Sequence, residues 1–157
     1  LLEVSGVGRA SFYRHFSSKE DLVLAVLRDR DERWRAWMDQ AVTARGGTPL
    51  AIFDVLADRF ASPEFRGCAF INAMIEDTDP NSPVYRLATE HKQAVTEYIA
   101  GLLTEAGHSD PRHLAEQFII LMDGAHVTAL RTRSSLPARQ AKAIAETLLG
   151  RVLSRDQ

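Results

Sequence analysis

The chain has 157 residues, of which 45% are hydrophobic and 25% are charged; this composition is typical of a globular protein and excludes a disordered or fibrous one. Its single cysteine, Cys68, excludes an internal disulfide framework and fits a reducing compartment. Apolar runs are short and interrupted by charges, and the N-terminus lacks a secretory pattern, so we predict a cytoplasmic protein without a membrane span.

Apolar residues recur at intervals of three and four along almost the whole chain, and strand-like alternation is absent, which predicts an all-helical fold. The third helix begins at a serine cap, either Ser17 with Glu20 or Ser18 with Asp21. Proline, glycine and capping residues divide the chain into the helical segments 1–5, 9–16, 18–44, 48–61, 69–76, 83–106, 111–132 and 137–153. Because the chain opens on Leu1, in what resembles a helix end, we expect further residues to precede it.

Residues 1–19 hold three basic residues against one acidic residue, although the whole chain has a formal net charge of −2. Two short helices joined by a glycine-containing turn are typical of a helix-turn-helix. Phe12 and Phe16 share one face and should anchor the second helix, which leaves an exposed polar and basic face. Such a face fits the DNA major groove, although an ordinary solvated helix would look similar. The candidate DNA contacts from this pattern are Ser11, Tyr13, Arg14, His15 and Lys19.

The segment "SGVGRASFYRHFSSKEDLVLAVL" resembles the DNA-binding signature of the TetR (tetracycline-repressor) family of bacterial regulators. It has a small-Gly-Val turn, a recognition helix ending in aromatic-x-x-Phe, and then Ser-Lys-Glu before an apolar helix. The later segments "RGCAFINAMIE", "HKQAVTEYIAGLLTEAG" and "LMDGAHVTA" resemble the family's regulatory region. The resemblance implies that six residues face the DNA: Arg9, Ser11, Tyr13, Arg14, His15 and Lys19. Of these, Tyr13 and Lys19 match the family's phosphate contacts. Gly8 stands where the family usually has a Ser or Thr cap, which predicts a weaker start to the recognition helix.

The resemblance also implies the domain organisation. Residues 1–24 would be the C-terminal part of an incomplete helix-turn-helix domain, without the first helix and most of the second. Residues 25–157 would form a TetR-type ligand-binding and dimerisation domain. The chain as given should therefore bind DNA poorly by itself.

The resemblance implies a cavity for a small, largely apolar effector inside the regulatory helices. Asn72 and His126 are the strongest candidates, because each is a polar residue on an otherwise apolar helix, although any of these residues could equally be plain core. The candidate lining residues are Trp34, Met38, Phe53, Phe60, Phe70, Asn72, Met74, Tyr98, Phe118, Met122 and His126.

The last two helices carry apolar faces too wide for packing against one neighbour. This width indicates a homodimer interface, unless both helices simply close the core of one chain. The candidate interface residues are Leu121, Ala125, Thr128, Ile144 and Leu148.

Enzymatic interpretations have little support. Glu105 and His108 have a Glu-x-x-His spacing, but no second motif completes a di-metal set. Cys68, near Arg66, precedes an apolar run and is expected to be buried rather than reactive. We therefore predict no enzyme, cofactor or metal, but a ligand-responsive repressor that binds a palindromic operator as a homodimer. The alternatives are a helical small-molecule-binding protein without DNA-binding activity and a small helical enzyme.

Overall fold

A computed structural model describes residues 13–153, with side chains described for residues 13–150. Tyr13 to His15 are helical and immediately precede six helices. In chain order these are α1 (Lys19–Thr43), α2 (Ala51–Ala61), α3 (Ala69–Glu76), α4 (Pro83–Glu105), α5 (Pro111–Thr132) and α6 (Leu136–Leu153). No strand occurs within this range, and the predicted all-helical fold is confirmed.

The helix boundaries follow local capping chemistry. Ser18 and Ser82 accept hydrogen bonds from the backbone amides of Asp21 and Tyr85, which satisfies donors that have no partner inside the helix. The cap of α1 is therefore Ser18 and not Ser17. At its other end α1 stops before Gly46 and Gly47, whose φ angles of +92° and +67° suit glycine.

The main core lies between α2, α4, α5, α6 and the C-terminal part of α1. Phe53 of α2 packs against Phe118 of α5 with ring centroids 5.4 Å apart, and both side chains are fully buried. A smaller core joins the N-terminal half of α1 to α3 and the start of α4 through Leu27, Phe70 and Ala88. Helix α1 therefore contributes to both cores, which places its middle between them.

Candidate DNA-reading segment and ligand cavity

The predicted DNA contacts lie at or before the start of α1. Arg9 and Ser11 lie outside the described residues. Tyr13, Arg14 and His15 occupy the last helical residues before α1, and all three are exposed. Lys19 is the first residue of α1 and is also exposed. Their side chains are thus accessible to a polyanion, as a DNA-reading role requires.

Acidic side chains limit the anion attraction of the α1 N-terminus. Glu20 and Asp21 occupy the first turn, and the Asp21 amide donates to Ser18 at 3.0 Å. A helix N-terminus attracts anions through its free amides, but one of these is capped and two carboxylates lie beside the others. A phosphate contact here therefore depends on the cations Arg14 and Lys19.

An open cavity of about 1090 Å³ lies between α1, α2, α4, α5, the start of α3 and the segment before it. This volume is slightly above the range typical of small-molecule sites. Four of the predicted lining residues are found in its wall: Trp34, Phe70, Met122 and His126.

The other predicted lining residues lie elsewhere. Phe53, Phe60 and Phe118 are buried in the main core. Met74 packs on the smaller core. Met38 and Tyr98 border a cavity of about 260 Å³, which Trp34 also lines.

Asn72, a predicted lining residue, does not border the large cavity. It is exposed and lies on the wall of another open cavity, of about 810 Å³. Its amide donates weakly, at 3.5 Å, to the Arg66 carbonyl. Helix α3 is only eight residues long and buries Phe70 and Ala73, so its opposite side faces solvent.

His91 is a cavity residue that sequence reasoning missed. Its ring stacks on Phe70 with centroids 3.6 Å apart and meets the edge of Trp34 at 5.2 Å. Its Nδ1 donates to the Asp31 carboxylate at 2.7 Å. A sequence signal existed, because His91 continues the buried stripe of Val84 and Ala88 on α4.

The Asp31 carboxylate connects α1 to α4. It accepts hydrogen bonds from both Arg35 and His91. Burial opposes the charged form, but these hydrogen bonds lower the pKa of Asp31 below its usual value. Burial lowers the pKa of His91 in spite of Asp31, so the imidazole is neutral at neutral pH.

His126 is the second buried histidine on the cavity wall. Its Nδ1 donates to the Met122 carbonyl at 2.9 Å, and Phe60 lies edge-on with centroids 5.0 Å apart. Burial lowers the pKa of His126 to about 4. Because a carbonyl can only accept, the proton is on Nδ1, and Nε2 is left as an acceptor.

The missed cavity residues also include Trp37, Lys92, Val95 and Ile119. Lys92 forms an ion pair with Asp123 of α5.

Among residues 13–150, no group of three His, Cys, Asp or Glu side chains is arranged to hold a metal ion. Over residues 13–153, no helix has both the length and the apolar character needed to cross a bilayer.

The predicted interface residues lie at different depths. Ala125 is buried in the main core, and Leu121 and Leu148 pack against it. Thr128 is half-buried. Ile144 is exposed, together with Ile120, Val127 and Leu136, which were not predicted.

Known proteins resemble this chain both in the sequence of its first residues and in its helical fold. The profile of the family described as "Bacterial regulatory proteins, tetR family" matches residues 2–26. Similarity extends much further to the crystal structure of SCO4454, a TetR-family transcriptional regulator from Streptomyces coelicolor. That structure shares 32% identity and a TM-score of 0.87, covering 96% of this chain and 82% of its own.

Two further relatives are more distant. The crystal structure of regulatory protein TetR from Rhodobacter sphaeroides has 25% identity and a TM-score of 0.79, over 92% of this chain and 82% of that one. The HTH-type transcriptional regulator YjdC of Escherichia coli is 28% identical over 141 residues, which cover 87% of this chain and 73% of YjdC.

The match of residues 2–26 to the regulatory-protein profile, together with the helical fold after it, defines the class of this protein. It is a DNA-binding transcriptional regulator. Within this class, the chain belongs to the TetR family, as the sequence resemblance predicted.

Proposed function

We propose that this regulator is a ligand-responsive repressor. One observation carries the proposal: a single helix, α1, adjoins both candidate sites. Lys19 at its start adjoins the exposed Tyr13–His15 segment, whereas Trp34 and Trp37 in its middle line the large cavity. Fifteen residues of α-helix separate Lys19 from Trp34, which corresponds to a distance of about 22 Å.

A rigid helix that adjoins two sites can couple them. A small molecule between α1, α4 and α5 would favour one position of α1 and thereby move the DNA-reading segment. A preference of a few kcal/mol for one conformation is enough to change operator occupancy. We propose residues 1–24 as part of the DNA-binding domain and residues 25–157 as the regulatory domain.

The proposed operator is palindromic because the proposed assembly is a homodimer. The exposed apolar residues on α5 and α6 support a shared face that includes Ile120, Val127 and Ile144. A two-fold dimer presents its two recognition helices to half-sites about one helical turn apart, or a multiple of this. The protein would act in the cytoplasm, where its operator is, without an enzymatic role or cofactor.

The test is operator binding by the full-length protein, measured as fluorescence anisotropy with promoter fragments from its own gene region. We expect affinity to fall steeply as salt rises, and Arg14→Ala to weaken binding by about tenfold or more while lowering the salt slope by about one. Arg86→Ala is the matched control, because Arg86 is exposed on α4.

A salt-independent affinity, or equal effects of the two substitutions, would contradict the DNA-reading role. The second candidate function, small-molecule binding without DNA binding, is supported by the cavity alone. It would be favoured if a ligand bound tightly to a protein that bound no promoter fragment.

A further inference from the structure

Two arginines lie where the two larger cavities adjoin. Arg30 of α1 and Arg59 of α2 each line both the cavity of about 1090 Å³ and the cavity of about 810 Å³. Gly67, in the segment before α3, and Ala69, the first residue of α3, also line both. The junction of the cavities is thus formed by three elements, and two of them contribute a guanidinium.

The acidic side chains of the large cavity are already paired. Asp29 binds Arg33 at 2.9 Å, and Asp58 binds Arg45. By contrast, within residues 13–150 neither Arg30 nor Arg59 forms an ion pair or a side-chain hydrogen bond. The junction therefore holds two arginines with which no carboxylate of the described residues forms an ion pair.

The acidic residues of the cavity of about 810 Å³ also leave both arginines without an ion pair. Four of them lie on its wall: Glu20, Glu64, Glu76 and Asp77. None of the four forms an ion pair with Arg30 or Arg59 in the described part of the chain. The positive charge at the junction is thus available to an incoming group.

The rest of the large cavity is suited to an apolar body. Trp34, Phe70 and Met122 supply aromatic and thioether surface, which packs well against a ring or an aliphatic chain. Neutral His126 adds one hydrogen-bond acceptor at Nε2, so a donor on the ligand body would be matched there.

We infer that the effector is an amphipathic organic anion, with one carboxylate or sulfonate at the Arg30–Arg59 junction and an apolar body in the large cavity. The inference rests on the proposed function, because it names the ligand class of that cavity. Guanidinium groups bind such anions through charge-assisted hydrogen bonds, often in pairs. An anion held by both arginines would also connect α1 to α2.

Two fluorescent probes with the same aromatic skeleton test the inference. Anilinonaphthalene sulfonate carries an anionic group, and phenylnaphthylamine lacks it. With the full-length protein, we expect one site per chain and a dissociation constant about tenfold lower for the sulfonate. Arg59→Gln should remove most of this preference, leave phenylnaphthylamine binding within about twofold, and preserve the circular dichroism spectrum.

Arg112→Gln is the control, because Arg112 is exposed on α5 and lines none of the three cavities. If both probes bind equally and Arg59→Gln changes neither, the anion inference is overturned and the cavity remains a ligand site. If neither probe binds, the proposed ligand site fails with it. If Arg112→Gln reduces sulfonate binding as much as Arg59→Gln, the preference reflects overall charge, which also overturns the inference.

Discussion

His126 is neutral because of where it lies. Its side chain is almost completely buried among Phe60, Phe65 and Met122, and its Nδ1 proton is committed to the Met122 carbonyl. Charging this ring would place a cation in an apolar site that lacks a carboxylate partner for it within the described residues. The residue is therefore suited to accept a hydrogen bond, not to donate through Nε2 or to bind an anion.

This neutrality predicts a pH-dependent stability. The folded-state pKa of His126 is about 4, below the usual histidine value of 6.5, so the unfolded chain takes up a proton first as pH falls. Between about pH 7 and pH 4, the free energy of unfolding should fall by roughly 3 kcal/mol more in the native protein than in His126→Phe. Urea denaturation followed by tryptophan fluorescence at several pH values measures this difference.

Exposed His113, on the same helix, supplies the control for that measurement. His113→Gln removes a histidine from the surface of α5 instead of from the core, and it should leave the pH profile of the native protein unchanged. Parallel profiles for the native protein and His126→Phe would show that the buried neutral histidine does not cause the loss of stability at low pH.

At the scale of secondary-structure elements, the N-terminus of α1 is capped by a single hydroxyl group. The Ser18 side chain accepts from the Asp21 amide at 3.0 Å, whereas Ser17 is exposed and lies outside the helix. Both serines matched a capping pattern in the sequence, because each has an acidic residue three positions later. The observed backbone of Ser18 is extended, with φ −149° and ψ 168°, as an N-cap requires.

Removing the cap should weaken α1 selectively. We expect Ser18→Ala to lower the free energy of unfolding by about 1 kcal/mol, because an amide of the first turn loses its partner. Ser17→Ala should change it by less than about 0.5 kcal/mol. Urea midpoints compared at equal m-values measure both effects. If both variants lost the same free energy of unfolding, the Ser18 hydroxyl would not be the group that stabilises the N-terminus of α1.

At the scale of the whole molecule, several large apolar side chains on α5 and α6 are exposed to solvent. Ile120 is 71% exposed, Val127 is 56% exposed and Ile144 is 51% exposed. Ile120 and Val127 are seven residues apart, so they lie on one side of α5. We expect this side to be covered by the same side of a second chain, as in a two-fold dimer.

The double substitution Val127→Asp with Ile144→Asp should separate the dimer. Burying two carboxylates without partners is costly, so the dimer dissociation constant should rise by at least about a hundredfold. Sedimentation at micromolar concentration should detect monomers of unchanged helicity. Ile75→Asp, at a more exposed position on α3, should leave the dimer intact. A native chain that sediments as a monomer would refute the proposed assembly.

Much of the helical layout was predictable because its signals are local. Ser82-Pro83 and Asp110-Pro111 combine a capping side chain with a proline that fits the first turn, and α4 and α5 begin at those prolines. The cavity was less predictable. Phe118 and Met122 both belong to the main core, yet only Met122 also borders the large cavity.

The sequence by itself determined the helical class and the family, and it predicted where the DNA-reading segment lies, because periodicity, caps and a short motif depend on neighbours within a few residues. Only the tertiary structure decided that His91 stacks on Phe70, that Asn72 is exposed, and that Arg30 and Arg59 adjoin the same cavities. Those features depend on how separate helices pack. A helical wheel indicates which face is apolar, but not whether the facing helix fills the space or leaves it open.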